Sequence, residues 1–422
     1  MTQELRNKIF YTLFLLFLYR VGTFIFLPGI NGNVIADFFN SDTGSVFNLL
    51  NMFSGGAFAR MSIFALNIMP YITASIIIQL MSSVYKGLEE LKKEGEYGRR
   101  KMNQYTKYLT LFLGIFQAAG IYFAFSNLET SAFISDSKIF LWTTVFTLVA
   151  GTMILMWLGD KITQNGIGNG VSLIIFVGIV AELPGSFAQI FDLSKRGAYS
   201  FVFLILVMAI FVGLILFIVF MEKSTRNIKI QYPNRGLMNS NGIKDDNSHM
   251  PLKMNMSGVI PPIFASSILM FPFAISKMFE GEWGARVSAM ISRGSWLYVI
   301  LFSILIAFFC YFYSSVVFNT ENVADNLKKN NCFIAGIRPG VATKDYLEYV
   351  INRITFVGAV YLCLVCLVPE VIVSKYNLPL SIGGTGLLIV INVVIDLITQ
   401  IQSYTFSNKY ATMNKQRRIR VR

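Results

Sequence analysis

Ten apolar runs divide the chain: 9–27, 68–85, 108–125, 139–158, 171–191, 201–221, 257–275, 297–317, 354–369 and 380–401. Most are about 18–22 residues long, the length a helix needs to cross roughly 30 Å of hydrocarbon at 1.5 Å per residue. The longest hydrophilic gaps are about 35 residues, so no separate soluble domain is left over. The pattern predicts an all-α polytopic membrane protein with ten transmembrane helices.

The gaps differ in charge, and the difference alternates. Residues 1–8, 86–107, 159–170, 222–256, 318–353 and 402–422 hold 2, 7, 1, 6, 5 and 6 Lys and Arg residues, 27 of the 36 in the chain. Arg20 lies inside the first run, and the remaining eight are spread over the intervening gaps. Basic loops stay on the cytoplasmic side, so the alternation predicts ten spans with both termini cytoplasmic. The first run follows Arg6 and Lys8 as a signal sequence does. Leu27-Pro28-Gly29 offers no small-residue cleavage site, which makes it an uncleaved first span.

A composition of 54% apolar and 14% charged residues would also suit a large soluble protein, but repeated spans with few interior charges argue against one. The formal net charge of +13 is therefore a property of loops. It favours anionic lipid head groups and polyanionic partners such as RNA, and lipid attraction alone accounts for most of it.

Candidate chemistry is sparse. Cys363 and Cys366 are one helical turn apart in an apolar run, with no second such pair and a single histidine, His249. That predicts packing residues in a reducing context rather than a zinc or redox site. No Ser/His/Asp set, HExxH or phosphate-binding loop occurs, and Gly166-Ile-Gly168-Asn-Gly170 lacks dinucleotide spacing. Neither an enzyme nor a cofactor is expected.

The irregular spans say more. Residues 51–66 are apolar, too short to span, broken at Gly55-Gly56, and lead almost directly into the second run through Pro70. Such a segment is re-entrant or interfacial, or else an amphipathic surface helix. Pro70 early in the second run has a counterpart in Pro261-Pro262 early in the seventh, which hints at two related five-helix halves. Glu182 and Pro184 interrupt the fifth run, so its helix is predicted to end near Ala181. Beyond the interrupting Glu182, charge inside the spans is nearly absent: Arg20, read as a structural pairing or snorkelling residue, and Asp396. Ion-coupled carriers need charged groups at mid-depth, so this scarcity weighs against a transporter. Three cytoplasmic loops could dock partners: 88–101 with Arg99 and Arg100, 231–254, and 321–349 with the turn around Arg338. Charge alone leaves docking and a solvated loop equally open.

Longer motifs are more specific. Met52-Phe-Ser-Gly-Gly-Ala57, Ser62-Ile-Phe-Ala-Leu66, Ile68-Met-Pro-Tyr-Ile72 and Ala74-Ser-Ile-Ile-Ile-Gln-Leu80 follow one another. Leu91-Lys-Lys-Glu-Gly-Glu96, Gly98-Arg-Arg-Lys101, the stretch from Gly166 to Phe176, and Pro251-Leu-Lys-Met-Asn-Met-Ser-Gly-Val-Ile-Pro261 continue the series. Ala324-Asp-Asn-Leu-Lys-Lys329, Gly336-Ile-Arg-Pro-Gly340 and Gly383-Gly-Thr385 complete it. Over essentially its whole length the chain resembles the SecY family, central subunits of the bacterial protein-conducting channel.

The resemblance implies two inverted five-helix halves, 1–183 and 201–402, followed by a basic cytoplasmic tail, 403–422. A short re-entrant plug helix within 51–66, with Phe53, Ser54, Gly55, Gly56 and Arg60, would close the outer funnel. Ile68, Ile72, Ile175, Ile263 and Ile389 match the apolar pore ring; read singly, each would be called lipid-facing or core. Spans two and seven would frame a lateral gate, with three and eight beside them. Unfolded polypeptide would cross through the pore, while signal sequences and transmembrane segments would leave sideways. Arg338, Arg235, Lys244, Arg99 and Arg100 would dock the ribosome or the SecA ATPase. SecE and SecG would be partner subunits, anionic lipids the surroundings, and the bacterial inner membrane the location. The chain departs from the family at 237–247, where a dense basic cluster is replaced by a stretch leaving Arg235 and Lys244 as the main cations, and at Ala335, where Pro is frequent. Asn392 reads as helix glue. The rivals are a secondary transporter built on an inverted repeat and a specialised accessory paralogue serving few substrates.

Overall fold

The computed structural model describes residues 3–29, 51, 54–126, 137–197, 199–231, 249–278, 295–376 and 383–420. Helices α1 (Gln3–Gly22), α2 (Met69–Val84), α3 (Lys86–Lys93), α4 (Glu96–Ser126), α5 (Ser137–Asn165) and α6 (Gly170–Lys195) come first. They are followed by α7 (Phe201–Lys223), strands β1 (Thr225–Gln231) and β2 (His249–Lys253), α8 (Ile260–Met278) and α9 (Trp296–Val317). The chain ends with α10 (Thr320–Lys329), strand β3 (Phe333–Ile334), α11 (Val341–Tyr376) and α12 (Gly384–Arg420). Among the described residues, six helices are long and apolar enough to cross a membrane: Phe140–Asn165, Gly170–Asp192, Phe201–Lys223, Trp296–Lys329, Val341–Tyr376 and Gly384–Phe406. The other four apolar runs coincide with α1, α2, α4 and α8.

Exposed apolar faces mark these helices as built for a non-aqueous surrounding. On α1, Phe10, Phe14, Phe17 and Val21 point outward at three- and four-residue spacing, whereas Leu15 and Tyr19 are buried. Helices α1, α2, α4, α5 and α6 pack on one another, and α7, α8, α9, α11 and α12 form a second group. The groups meet where α6 contacts α12 and α7, and where α8 contacts α2 and α4. One large apolar core runs across that seam, from Leu15 and Leu155 through Ile174 to Leu362 and Leu388.

Several boundaries differ from those the sequence predicts. Helix α6 does not stop near Ala181 but continues through Pro184 to Lys195, so residue 183, the expected end of the first half, lies inside a helix. Pro184 removes one donor, yet unwinding the helix would strand several backbone groups away from water, which costs more. Pro369 is likewise inside α11. The backbone of α12 runs on to Arg420, so residues 403–420 of the basic tail continue the last helix. Pro70 and Pro261-Pro262, by contrast, stand in the first turns of α2 and α8. A missing N–H costs nothing there, so these prolines start helices instead of breaking them.

Candidate functional site

Between α1 and α2, Asn51 and Ser54 are helical, and turns follow over 55–61 and 63–68 on either side of a bridge from Ser62 to Phe26. Phe53 lies outside the described residues. The turns close because side chains satisfy backbone groups that a helix would have paired. Phe58 N donates to Ser54 Oγ at 2.9 Å, and Ala59 N donates to Asn51 Oδ1 at 2.9 Å. Leu27 N donates to Met61 O and Ile63 N to Ile25 O, each at 3.0 Å, joining the segment to the chain that leaves α1. Phe58, Met61, Ala65 and Leu66 then pack with Leu27 against Ala118 and Ile121 of α4 and Leu148 of α5.

The Gly55-Gly56 pair seats this segment on α6. Both glycines have positive φ, +65° and +80°. A Cβ on Gly55 would stand 2.7 Å from Gly178 Cα, and one on Gly56 would stand 2.5 Å from Glu182 Oε1. Two arginines converge on the same point. Arg20 Nη1 donates to Gly55 O at 2.9 Å, and Tyr19 Oη donates to Ser54 O at 3.5 Å. The guanidinium of Arg60 stacks over Phe24 at 4.5 Å, with that of Arg20 at 5.2 Å from the same ring. Glu182 of α6 and Arg60 both adjoin Gly56. Arg20 therefore has a structural role, through its bond to Gly55. Glu182, which the sequence shows only as an interruption of an apolar run, is the missed member. Its signal was an acid embedded in a span of a protein whose neighbouring segments carry Arg20 and Arg60.

The five isoleucines fall in one core. Ile68, Ile175 and Ile389 are buried, and Ile72 and Ile263 are half-buried against the same cluster, so none of the five is simply lipid-facing. They come from the turn before α2, from α2, α6, α8 and α12, and so draw on both helix groups. Beside Ile72 and Ile263 lies a cavity of about 180 Å³ between α2 and α8, lined also by Tyr71, Gln79, Val171 and Phe264.

The junction at Gly166–Gly170 is structural. Asn169 Oδ1 caps α6 by accepting from Val171 N. Gly168 N donates to Gln400 Oε1 of α12 at 2.8 Å and Ile167 N to Thr12 Oγ1 of α1 at 3.1 Å. One glycine-rich turn thus ties α1, α6 and α12 together.

On the basic side, the loops are not independent. Strands β2, β1 and β3 form one antiparallel sheet in that order, with Ile228 opposite Met250 and Ile230 opposite Ile334. Ile228, Leu252 and Ile334 bury one face against Leu347, Val350 and Ile354 of α11. Arg338 is exposed on the turn that follows β3, and its carbonyl accepts from Thr343 Oγ1 at 2.9 Å. Arg235 and Lys244 lie outside the described residues. Arg226 and Lys229 of β1 are exposed on the same sheet and were missed. The alternation in Arg226-Asn-Ile-Lys-Ile-Gln231 was their readable signal. Arg99 and Arg100 are exposed at the start of α4, apart from this sheet, with Arg100 3.5 Å from Glu96.

The family model for SecY matches residues 62–398. The chain belongs to the SecY family. The protein translocase subunit SecY of Rickettsia typhi is 46% identical over 424 residues, covering 99% of this chain and 98% of the relative. The fold is that of a solved protein-conducting channel, with a TM-score of 0.70 at 17% identity over 96% of this chain and 93% of the other. Sec61 in the canine ribosome–channel complex from the endoplasmic reticulum is similar at a TM-score of 0.65 and 16% identity, covering 95% and 92%.

Proposed function

We propose that this chain is the pore subunit of a bacterial inner-membrane protein translocase, conducting unfolded polypeptide between its two five-helix halves. The observation that carries the reading is the wedge at 54–67, held by the Arg20 bond to Gly55 O, seated on α6 through Gly55 and Gly56, and adjoining the core that contains the five isoleucines. Flexible apolar side chains offer ions and water no hydrogen bonds, yet they part around a peptide. The cavity between α2 and α8 suits a lateral gate, because an apolar segment held there gains by partitioning into lipid. The chain supplies no covalent step in this reading. Energy comes from a SecA-like ATPase or a ribosome docked on the sheet and the Arg338 turn, with SecE and SecG as companion subunits.

Proteoliposomes containing the complex test this. A precursor should enter only with a polypeptide-driving motor present, and Arg338→Glu should cut that import several-fold at unchanged protein level, because the reversed charge repels an anionic docking face. Accumulation of a small solute under an ion gradient, with no precursor import, would instead establish a carrier.

Ten spans with cytoplasmic termini make a second expectation. Single cysteines at Lys92, Asn239 and Asn414, in a background without the native cysteines, should be shielded from an impermeant thiol reagent added outside. Cysteines at Ser41 and Lys195 should react. Outside labelling of Asn239 overturns the topology.

A further inference from the structure

Away from the central core, the packed pair α9 and α11 leaves an open groove where the apolar run of α11 begins. Tyr311 of α9 and Tyr349, Asn352, Arg353, Phe356 and Val357 of α11 line it, and it encloses about 490 Å³. The Arg353 guanidinium stands 4.3 Å from the centroid of the Tyr349 ring. Among the described residues no carboxylate forms an ion pair with it. The same face of α11 continues through Val360 and Leu364 at helical spacing, and Phe356, Val360 and Leu364 are 60%, 46% and 51% exposed. One outward apolar strip therefore ends at a single cation framed by two tyrosines.

We propose that this groove binds an anionic phospholipid of the cytoplasmic leaflet. Its phosphate lies on Arg353 and Asn352, and one acyl chain runs along Phe356, Val357 and Val360. The inference rests on the reading of α9 and α11 as membrane spans. A guanidinium offers paired N–H donors that match two phosphate oxygens, and that of Arg353 stands over the Tyr349 ring with no carboxylate paired to it among the described residues. The flanking tyrosines suit the head-group level, where an amphipathic ring keeps its body in hydrocarbon and its hydroxyl in water. The headgroup charge decides between lipids. A zwitterionic headgroup brings its own cation beside Arg353, whereas phosphatidylglycerol brings only the anion that the groove lacks.

Native mass spectrometry of the full chain with its partner subunits, released from nanodiscs of phosphatidylcholine with minority phosphatidylglycerol, reads the site directly. Arg353→Gln should retain one phosphatidylglycerol fewer than the unmodified protein. Val357→Trp, which keeps the charge but fills the groove, should lose the same lipid. Lys328→Gln, which removes an exposed cation from α10, should lose none. Excess inorganic phosphate should leave retention unchanged, because the acyl chain is part of the binding. Equal retention in Arg353→Gln and the unmodified protein overturns the site, as does full displacement by inorganic phosphate, which would mean a simple anion site. Loss of a partner subunit instead of a lipid from Val357→Trp would also overturn it. If the membrane reading itself failed, every variant and the unmodified protein would emerge free of lipid, a different result from equal lipid counts.

Discussion

Gly55→Val is expected to raise the resting ion conductance of planar bilayers containing the complex by more than tenfold. The position tolerates no side chain. Its φ of +65° costs a β-branched residue about 1–2 kcal/mol. The new Cβ would press 2.7 Å from Gly178 Cα, which is backbone and cannot swing aside. Relief requires the turns to lift off α6, and that stretches the Arg20 hydrogen bond to Gly55 O. With about 2–3 kcal/mol lost from the seated state, its weight relative to the lifted state falls roughly 30- to 150-fold. Arg20→Gln should act in the same direction but less, since it removes one charge-assisted bond and leaves the glycine contact intact. Gly213→Val on α7 meets no atom within 4 Å and should leave conductance unchanged. Resting conductance in Gly55→Val equal to that of the unmodified protein, at equal membrane level, would show that 54–67 does not close a pore.

How far the sequence speaks for this molecule depends on what carries the information. The helices were legible because hydrocarbon thickness demands long apolar runs, and every one of the ten runs has a helix in the described residues. The irregular character of 51–66 was legible too, because a glycine pair in a stretch too short to span has few other uses. Helix ends were not. Helix α11 begins at Val341, well before the apolar run at 354, because its first turns lie outside the apolar zone and are held by the sheet. The sheet itself escaped notice because β1 and β3 are about a hundred residues apart and β3 has only two residues. No local periodicity announces such a pairing. Pro184 misled for a related reason. A proline rule drawn from solvated helices overstates the break when water is absent to receive the freed groups. Glu182 took its meaning only from Arg60 and Gly56, which fold onto it from more than a hundred residues away. The five isoleucines could be grouped only through the family resemblance, and their common core is a property of the tertiary packing.

Ile389→Asn should let proteins with defective signal sequences be exported, and should raise resting conductance as well. Ile389 is 4% exposed on α12, within the core that includes Ile68 and Ile175 from the other helix group. An isoleucine there contributes about 1.5–3 kcal/mol to the closed arrangement by excluding water. Asparagine forfeits that gain and adds an amide that must find partners, at a cost of about 1–3 kcal/mol if it remains dry. Opening the seam and admitting water relieves the cost, so the substitution favours the open state instead of merely weakening the fold. Its neighbour separates the two cases. Leu388 is fully buried on the same helix, 100° around the axis, and also belongs to the core. Leu388→Asn places the same amide where no pore is proposed, so it should lower the amount of protein without new conductance or relaxed substrate choice. Ile389→Leu, which keeps the apolar volume, should behave like the unmodified chain. If Ile389→Asn and Leu388→Asn both simply reduce protein level and export, then Ile389 is ordinary core and the pore ring is misassigned. Gain of export for Ile389→Asn alone leaves the isoleucine ring between the two helix groups as the path the polypeptide opens.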